Sequence, residues 1–332
     1  MSRPVAAVVL GEATLLPRLL DARALDALRA HVDLRDGVVA PAAVAHAGLA
    51  DVDVLVTGWG APPLDAAALD AMPRLRLVVH TAGTVKSLVT PAVWERGVRV
   101  SSGAATNALP VAEYALAMVL LAGKRVGEAA EHYATGRRPD AWRPAGEVGN
   151  NGATVGVVGA SRTGRRLLDL LRPFDLRPLL HDPSVTPAQA TALGAELLPL
   201  DELLAASDVV TLHAPALPAT HRMIGAAQLA RMRDGTTLLN TARGSLVDTD
   251  ALTAEVLRGR LRAVLDVTDP EPLPPDHPLF DAPGVVLTPH VAGSLGNELR
   301  RLGDEAVAEV GRWVRTGTLR SEVRADDLAR IA

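Results

Sequence analysis

Short apolar runs rich in β-branched residues alternate with longer segments rich in alanine, leucine and arginine along the whole chain. This alternation is typical of α/β proteins, in which helices connect parallel strands. In the first third of the sequence the pattern predicts strands at 5–10, 52–57, 75–80 and 98–101. Further along it predicts strands at 154–159, 177–181, 209–212, 237–241, 263–267 and 285–287. Because the strands fall into two groups, we predict two doubly wound parallel-sheet domains.

A long apolar segment, 110–138, separates the two groups of strands. Its stretch 111–122 is apolar on nearly every side, so a helix formed there has to be covered all round. Burial within the monomer and burial in a subunit interface both explain this composition. We favour the interface, and we therefore expect a homodimer formed through a helix at 110–138. A second long helix is predicted at 294–316.

A glycine turn follows the predicted strand at 154–159 and precedes a helical segment. Residues 159–164 read Gly-Ala-Ser-Arg-Thr-Gly, which is the dinucleotide fingerprint G-x-G-x-x-G with Ser161 in the place of the second glycine. In this fingerprint the pyrophosphate lies at the N-terminus of the helix, where N–H groups and the helix dipole favour an anion. The nucleophile-elbow motif of hydrolases, G-x-S-x-G, does not fit, because it requires a glycine at the position that Thr163 occupies.

An acidic residue ends the second strand of this group. Asp182 lies about 20 residues after the glycine turn, where a carboxylate accepts hydrogen bonds from the adenosine ribose and repels a 2′-phosphate. Taken alone, Asp182 fits a turn cap before Pro183 equally well. Together with the glycine turn, it indicates that the cofactor is NAD and not NADP.

Three side chains with complementary chemistry follow predicted strands in the same part of the chain. Arg243 lies in Asn-Thr-Ala-Arg-Gly, Glu271 in Asp-Pro-Glu-Pro, and His290 in Thr-Pro-His. A guanidinium binds a carboxylate through two parallel N–H donors, an imidazole titrates near neutrality, and a carboxylate beside it stabilises the imidazolium. Each residue taken alone is more often structural or solvated. In this order, the three patterns indicate a catalytic trio that reduces a 2-oxo acid.

The predicted strand at 75–80 ends in another glycine turn, a conformation in which exposed main-chain N–H groups bind anions. We expect Ala82, Gly83 and Thr84 to bind the substrate carboxylate. Lys86 follows in a chain whose basic residues are almost all arginine. Two interpretations of Lys86 stay open: it contacts a second anionic group of the substrate, or it is plain surface charge.

The composition argues against several other classes of function. The net charge of −4, without a basic block, argues against nucleic-acid binding. Cysteine is absent, which excludes disulfides and thiolate chemistry, and no residues follow a metal-ligand spacing. We find no signal peptide and no uninterrupted apolar stretch long enough to cross a membrane, so we expect a cytoplasmic protein.

These segments resemble the D-isomer-specific, NAD-dependent 2-hydroxyacid dehydrogenases over nearly the whole chain, most specifically in its last third. The resemblance implies a flavodoxin-like substrate domain, discontinuous at 1–106 and 296–332, and a Rossmann NAD-binding domain at 107–295, with the active site in the cleft. It implies interconversion of a 2-oxo acid and a D-2-hydroxy acid. In that reaction Arg243 holds the substrate carboxylate, and His290, tuned by Glu271, moves the proton.

The resemblance also implies cofactor contacts from most loops of the second domain, including a carboxylate, Asp266, at the nicotinamide carboxamide. The expected cofactor-binding residues are Gly159, Ser161, Arg162, Thr163, Gly164, Asp182, His213, Ala214, Pro215, Thr220, Thr241, Ala242, Arg243, Asp266, His290 and Gly293. An NADH-sensing corepressor on the same scaffold is the alternative function, since such proteins keep the trio. The substrate stays open among glyoxylate, hydroxypyruvate, 3-phosphohydroxypyruvate and bulkier 2-oxo acids.

Overall fold

The structure is a computed structural model that describes residues 3–138, 140, 142–144 and 148–328. The chain divides into two compact units, Met1–Ala108 with Ser294–Ala332, and Leu109–Gly293. The domain boundaries expected from the sequence, at 106/107 and 295/296, lie close to these divisions.

Short strands and helices alternate along both units. The strands are β1 (Val5–Val9), β2 (Asp33–Leu34), β3 (Val54–Thr57), β4 (Leu77–His80), β5 (Arg99–Ser102), β6 (Ala153–Val158), β7 (Leu176–His181), β8 (Glu196–Leu197), β9 (Val209–Leu212), β10 (Thr237–Asn240), β11 (Arg262–Leu265), β12 (Val285–Leu287) and β13 (Glu322–Val323). The helices are α1 (Leu16–Leu19), α2 (Ala22–Arg29), α3 (Ala66–Asp70), α4 (Pro91–Glu95), α5 (Ala104–Gly123), α6 (Val126–Gly136), α7 (Arg162–Leu171), α8 (Pro187–Ala192), α9 (Leu200–Ala206), α10 (Ala226–Arg231), α11 (Thr249–Leu257) and α12 (Leu299–Thr316).

The first unit is built on a six-stranded sheet with the order β13-β5-β4-β3-β1-β2. Strands β1 to β5 are parallel, and β13 is antiparallel to β5. Successive residues of a strand face opposite sides of the sheet, so Ala7 and Val9 pack into one apolar cluster while Ala6 and Val8 pack into another. The second cluster includes residues of α12. The order of the parallel strands is the flavodoxin-like order.

The second unit contains a seven-stranded, fully parallel sheet with the order β12-β11-β10-β9-β6-β7-β8. Apolar clusters cover both of its faces. The strand order reverses direction between β6 and β9, which is the switch point of a doubly wound Rossmann sheet. Ligands bind such sheets at the carboxyl ends of the strands beside that point.

The structure corrects several predicted elements. The single helix predicted at 110–138 is two helices, because α5 begins at Ala104 and ends at Gly123, and Arg125 then adopts a left-handed main chain with φ of 50°. Helix α12 begins at Leu299, after a 3-10 turn at Gly296–Glu298, and not at residue 294. The two-residue strands β2, β8 and β13 escape prediction because so short a segment has no periodic pattern. Antiparallel β13 makes the first sheet mixed.

Helix α5 also corrects the expectation about membrane-spanning stretches. By length and composition it is long and apolar enough to cross a membrane. However, Ala112, Ala115 and Val119 on one side of α5 are buried in an apolar cluster with β6 and α7 of the second unit. That packing covers one side of α5, whereas Ala117 and Leu121 are exposed.

Candidate active site

Most of the predicted site residues lie at one edge of the seven-stranded sheet. Because its strands are parallel, the loops that follow β6, β7, β9, β10, β11 and β12 all leave from the carboxyl edge. These loops contain the predicted site residues at 159–164, 182, 213–215, 241–243, 266, 271 and 290. The fold therefore brings the glycine turn and the trio to the same edge of one unit.

The turn after β6 leaves no room for side chains at its two glycines. Gly159 has φ of +101°, and a Cβ there would lie 2.5 Å from Ala214 N. A Cβ on Gly164 would lie 2.0 Å from Gly159 O, so α7 begins in close contact with the turn. Ser161 is the N-cap of α7, since its Oγ accepts a hydrogen bond from Gly164 N at 3.3 Å. The serine in the place of the second glycine therefore stabilises the start of the helix that would face an anion.

Asp182 follows β7 and is held by three hydrogen bonds. Its Oδ2 accepts from Ala160 N at 2.7 Å, and its Oδ1 accepts from Ser184 N at 2.8 Å and Ser184 Oγ at 2.6 Å. Burial raises the pKa of Asp182, but the bonds from Ser184 and Ala160 and the charge of Arg165 outweigh burial and lower the pKa below its usual value. The carboxylate is thus ionised and fixed beside the glycine turn. It caps the following turn, and its contact with a ribose stays a prediction.

The predicted nicotinamide-side segment after β9 is partly buried. The side chain of His213 is almost fully buried, and its Nε2 lies 2.9 Å from Thr211 Oγ1. Burial lowers the pKa of His213 to about 4, so its imidazole is neutral at physiological pH. Thr220 Oγ1 donates a hydrogen bond to Pro215 O at 2.6 Å and so closes the loop. His213 therefore packs under the glycine turn as a neutral core side chain.

Arg243 lies in a tight turn after β10. Asn240 Nδ2 donates to Arg243 O at 2.8 Å, and Asn240 Oδ1 accepts from Ala242 N at 3.0 Å. The next residue, Gly244, is buried, and a Cβ there would lie 1.9 Å from Thr268 O. Only glycine therefore lets the Arg243 turn contact the segment that follows β11 and leads to Glu271.

Glu271 and His290 form a direct pair, with His290 Nδ1 2.7 Å from Glu271 Oε1. A carboxylate can only accept, so Nδ1 carries the proton of this bond and Nε2 is the nitrogen that gains and loses a proton. Burial lowers the pKa of the Arg243 guanidinium, and the charge of Glu271 partly offsets that effect. Glu271 is thus bonded to His290, the pairing that the sequence analysis expected, and it also acts electrostatically on Arg243, a link that the sequence analysis did not predict.

Asp266, expected at the nicotinamide carboxamide, is 2% exposed and bonded to the loop that contains His290. Its Oδ1 accepts from Thr288 Oγ1 at 2.6 Å and from Val291 N at 2.8 Å, and its Oδ2 accepts from Ala292 N at 2.9 Å. The sequence analysis did not identify this anchoring. The adjacency of Thr288 to the Pro-His pair is the only sequence signal that could have pointed to it.

The predicted substrate loop belongs to the first unit and follows β4. Ala82 is buried, Gly83 and Thr84 are half-buried, and Lys86 is exposed. Lys86 N donates to Thr84 Oγ1 at 3.3 Å, which holds the turn. Below the loop, His80 Nδ1 lies 2.9 Å from Thr57 Oγ1. Burial lowers the pKa of His80 to about 4, and a main-chain bond to Thr84 raises it only partly.

Sequence comparison decides which family this arrangement belongs to. Residues 116–292 match the family model described as the NAD-binding domain of D-isomer-specific 2-hydroxyacid dehydrogenases. The chain belongs to this dehydrogenase family. That stretch of the dehydrogenase includes the glycine turn, the Asp182 strand and the whole trio.

Curated relatives of the dehydrogenase are named as enzymes. A glyoxylate reductase of Korarchaeum cryptofilum is 36% identical over 262 residues, which is 78% of each chain. A D-3-phosphoglycerate dehydrogenase of Mycobacterium leprae is 35% identical over 267 residues, or 80% of this chain and 49% of the relative. The chain thus spans about half the length of that relative.

Solved structures agree with the fold. A protein of Thermus thermophilus is 33% identical with a TM-score of 0.76, covering 96% of this chain and 100% of that one. A phosphoglycerate oxidoreductase of Rhizobium etli is 26% identical with a TM-score of 0.77, covering 97% and 98%. These matches extend beyond the NAD-binding segment to nearly the whole dehydrogenase.

The second unit of the dehydrogenase fits its cofactor, NAD. The glycine turn admits no side chain at Gly159 or Gly164, and Asp182 is a fixed carboxylate beside it. Among the described residues, Thr241 Oγ1 is the buried side-chain atom without a hydrogen-bond partner. A buried hydroxyl without a partner is costly, so its position at the end of β10 fits a ligand that supplies the missing bond. When bound, the nicotinamide supplies the hydride.

We expect the dehydrogenase to lose stability between about pH 6.5 and pH 4. His80 and His213 have folded-state pKa values of about 4, whereas an unfolded histidine titrates near 6.5. Between those values the unfolded chain binds protons that the folded chain does not. Each buried imidazole therefore lowers the free energy of unfolding by up to about 3 kcal/mol as the pH falls. Urea unfolding at pH 7 and pH 5 measures the loss. Between pH 7 and pH 5, His80→Gln should lose less unfolding free energy than the unmodified protein. An equal loss in the two proteins would mean that His80 does not cause the effect.

Proposed function

We propose that this protein interconverts a 2-oxo acid and a D-2-hydroxy acid with NADH or NAD⁺. The observation that carries the proposal is the 2.7 Å bond between His290 Nδ1 and Glu271 Oε1, with Arg243 electrostatically linked to the same carboxylate. A proton donor, its carboxylate partner and a cation for the substrate carboxylate are the groups that this reduction requires from a protein.

His290 supplies the proton in the reducing direction. Its Nδ1–H is held by Glu271, so the protonated ring presents Nε2–H to the oxygen that was the 2-oxo carbonyl. Loss of that proton leaves the neutral imidazole with its remaining proton on Nδ1. In the oxidising direction, Nε2 takes the proton of the 2-hydroxyl group. Glu271 thus sets the tautomer and the ring orientation, and it stabilises the charged ring.

Arg243 orients the substrate. Its guanidinium, half-buried and held next to its own turn by Nη1–H donation to Ala242 O at 2.6 Å, offers further N–H donors to a carboxylate. Two parallel bonds define a plane as well as a charge, which aligns the adjacent carbonyl. For the first unit, we propose that the main-chain N–H groups of Gly83 and Thr84 bind an anionic group, on the basis of their glycine turn.

The comparisons favour an enzyme over the corepressor-like alternative, because the curated relatives are named reductases and dehydrogenases. Their names make glyoxylate and phosphoglycerate-type acids the first substrates to test. The deciding experiment follows NADH absorbance with glyoxylate, hydroxypyruvate, 3-phosphohydroxypyruvate and a branched 2-oxo acid. Absence of turnover with every 2-oxo acid would contradict the proposal. A strong preference for the phosphorylated acid would support substrate contact by Lys86.

We expect the protein to bind NADH at least about 10-fold more tightly than NADPH, because a 2′-phosphate would face the ionised Asp182. Asp182→Ala should weaken NADH binding and reduce the preference. Fluorescence titration of both cofactors measures the two affinities. Asp175→Ala, which removes an exposed carboxylate, is the control. Equal affinities in the unmodified protein would contradict the assignment of Asp182.

We further propose a homodimer formed through α5 and α6. Leu121 and Val126 are 44% and 42% exposed, and they line an apolar groove of about 290 Å³ together with Val286 of β12. A contiguous exposed apolar surface is typical of an interface between subunits. Sedimentation analysis should give a dimer that Leu121→Lys weakens. Leu257→Lys, which changes a leucine 55% exposed on α11, should leave the mass unchanged, and a monomeric unmodified protein would contradict the proposal.

A further inference from the structure

His290 has a main-chain conformation that its surroundings must maintain. Its φ is +55°, in the left-handed region that side chains with a Cβ rarely adopt. Its N–H donates to Asp266 O and to Thr288 O, both at 3.0 Å. Residues in such conformations persist where neighbouring groups hold them, so the neighbours of this loop decide where the imidazole points.

The carboxylate of Asp266 holds the loop on the other side of His290. It accepts hydrogen bonds from the N–H groups of the next two residues, Val291 at 2.8 Å and Ala292 at 2.9 Å. Because Asp266 also accepts from Thr288 Oγ1 at 2.6 Å, its main chain and side chain together bind residues on both sides of His290. The orientation of this carboxylate therefore determines the conformation of the loop.

Tyr114 of α5 extends this network by one more bond. Its hydroxyl lies 2.8 Å from Thr288 Oγ1. The single hydroxyl proton of Thr288 is donated to Asp266, which as a carboxylate can only accept. Thr288 Oγ1 must therefore accept from Tyr114, so the bonds run in one direction, from Tyr114 to Thr288 to Asp266.

The position of Tyr114 suits a fixed anchor. It packs against the apolar cluster that buries Ala112, Ala115 and Val119 of the same helix. Burial raises the pKa of Tyr114, the bond to Thr288 lowers it and the charge of Asp266 raises it, with a net increase. The phenol therefore keeps the proton that the series of hydrogen bonds requires.

We propose that Tyr114 and Thr288 are positioning residues, which orient Asp266 and thereby hold the His290 loop in place and tie it to α5. The inference rests on the proposed function, because the position of the loop affects the reaction only if His290 is the proton donor. It also means that the helix proposed to form the subunit interface is connected by hydrogen bonds to the proton donor.

The test uses two variants that remove one hydroxyl each and keep the shape, Tyr114→Phe and Thr288→Val. Both should lower kcat by about 10-fold, with little change in KM or in NADH affinity, because small displacements of a catalytic group slow the chemical step. Thr288→Ser keeps the hydroxyl and should restore near-normal kcat. The double variant should have nearly the same kcat as Thr288→Val alone, because Tyr114→Phe and Thr288→Val break the same series of hydrogen bonds. Amide hydrogen exchange of Val291 and Ala292 should be faster in both variants.

Tyr133→Phe and Thr191→Val are the matched controls, since both residues are exposed and distant in sequence from the loop. They should leave kcat and exchange unchanged. His290→Ala in the same assay separates the two hypotheses. If His290→Ala loses turnover while Tyr114→Phe and Thr288→Val keep it, the positioning network is wrong and the proposed function stands. If His290→Ala keeps full turnover, the proposed function itself is wrong.

Discussion

Replacing His290 with alanine is expected to lower kcat by about 10²–10⁴-fold, which is the usual contribution of a positioned acid or base. The reason is the 2.7 Å bond to Glu271, which leaves Nε2 as the nitrogen that exchanges a proton with the substrate. NADH should still bind, because the glycine turn and Asp182 are unchanged. Stopped-flow or steady-state reduction of the preferred 2-oxo acid gives kcat, and fluorescence titration gives the NADH affinity.

His290→Asn separates the chemistry from the main-chain conformation. Asparagine adopts the left-handed conformation more readily than most residues, so it suits the φ of +55° while removing the imidazole. It should be as inactive as His290→Ala, and added imidazole should restore part of the rate to the alanine variant. His46→Ala, which changes an exposed histidine, should be fully active. Normal turnover in His290→Asn would show that another group donates the proton.

Replacing Arg243 with lysine is expected to lower kcat/KM by about 10²-fold, although the positive charge is kept. A lysine ammonium is a point charge and cannot offer two parallel N–H donors to the substrate carboxylate. The turn gives no freedom to compensate, because Asn240 bonds to Arg243 O and Gly244 contacts Thr268 O without space for a Cβ. Steady-state kinetics with the preferred substrate gives kcat/KM.

A substrate without a carboxylate makes the Arg243 test specific. The unmodified enzyme should strongly prefer a 2-oxo acid to the corresponding aldehyde, and Arg243→Lys should lose most of that preference. Arg231→Lys changes an exposed arginine of α10 and serves as the control. Retention of the full preference in Arg243→Lys would mean that the carboxylate is bound elsewhere.

The parts of the site that the sequence predicted are those that depend on local patterns. Strands β9 and β12 have the predicted bounds because their apolar runs end sharply. Parallel strands end at a common edge, so residues that follow them, including Arg243 and His290, can be grouped from the sequence alone. The glycine turn was recognisable because its residues are adjacent in the chain.

The parts that the sequence did not predict depend on contacts between distant segments. The three bonds that Asp266 accepts from the loop around His290 were not predicted, and its contact with the nicotinamide stays a prediction. The burial of the His213 side chain under the turn was not predicted either, and its contact with the cofactor stays a prediction. A polar residue after a strand can point outward or be bonded inward, and only the packing of neighbouring loops decides between these orientations.

The antiparallel strand β13 has a consequence for how the chain folds during synthesis. It pairs with β5, and α12 packs on the same sheet, but both come after the second unit in the sequence. The seven-stranded sheet is therefore complete on the ribosome before the six-stranded sheet has its last strand and one of its covering helices. Until then the nascent chain exposes the apolar face that later contacts Leu302 and Ala306. Chaperone binding to ribosome-bound chains should accordingly persist until α12 has emerged.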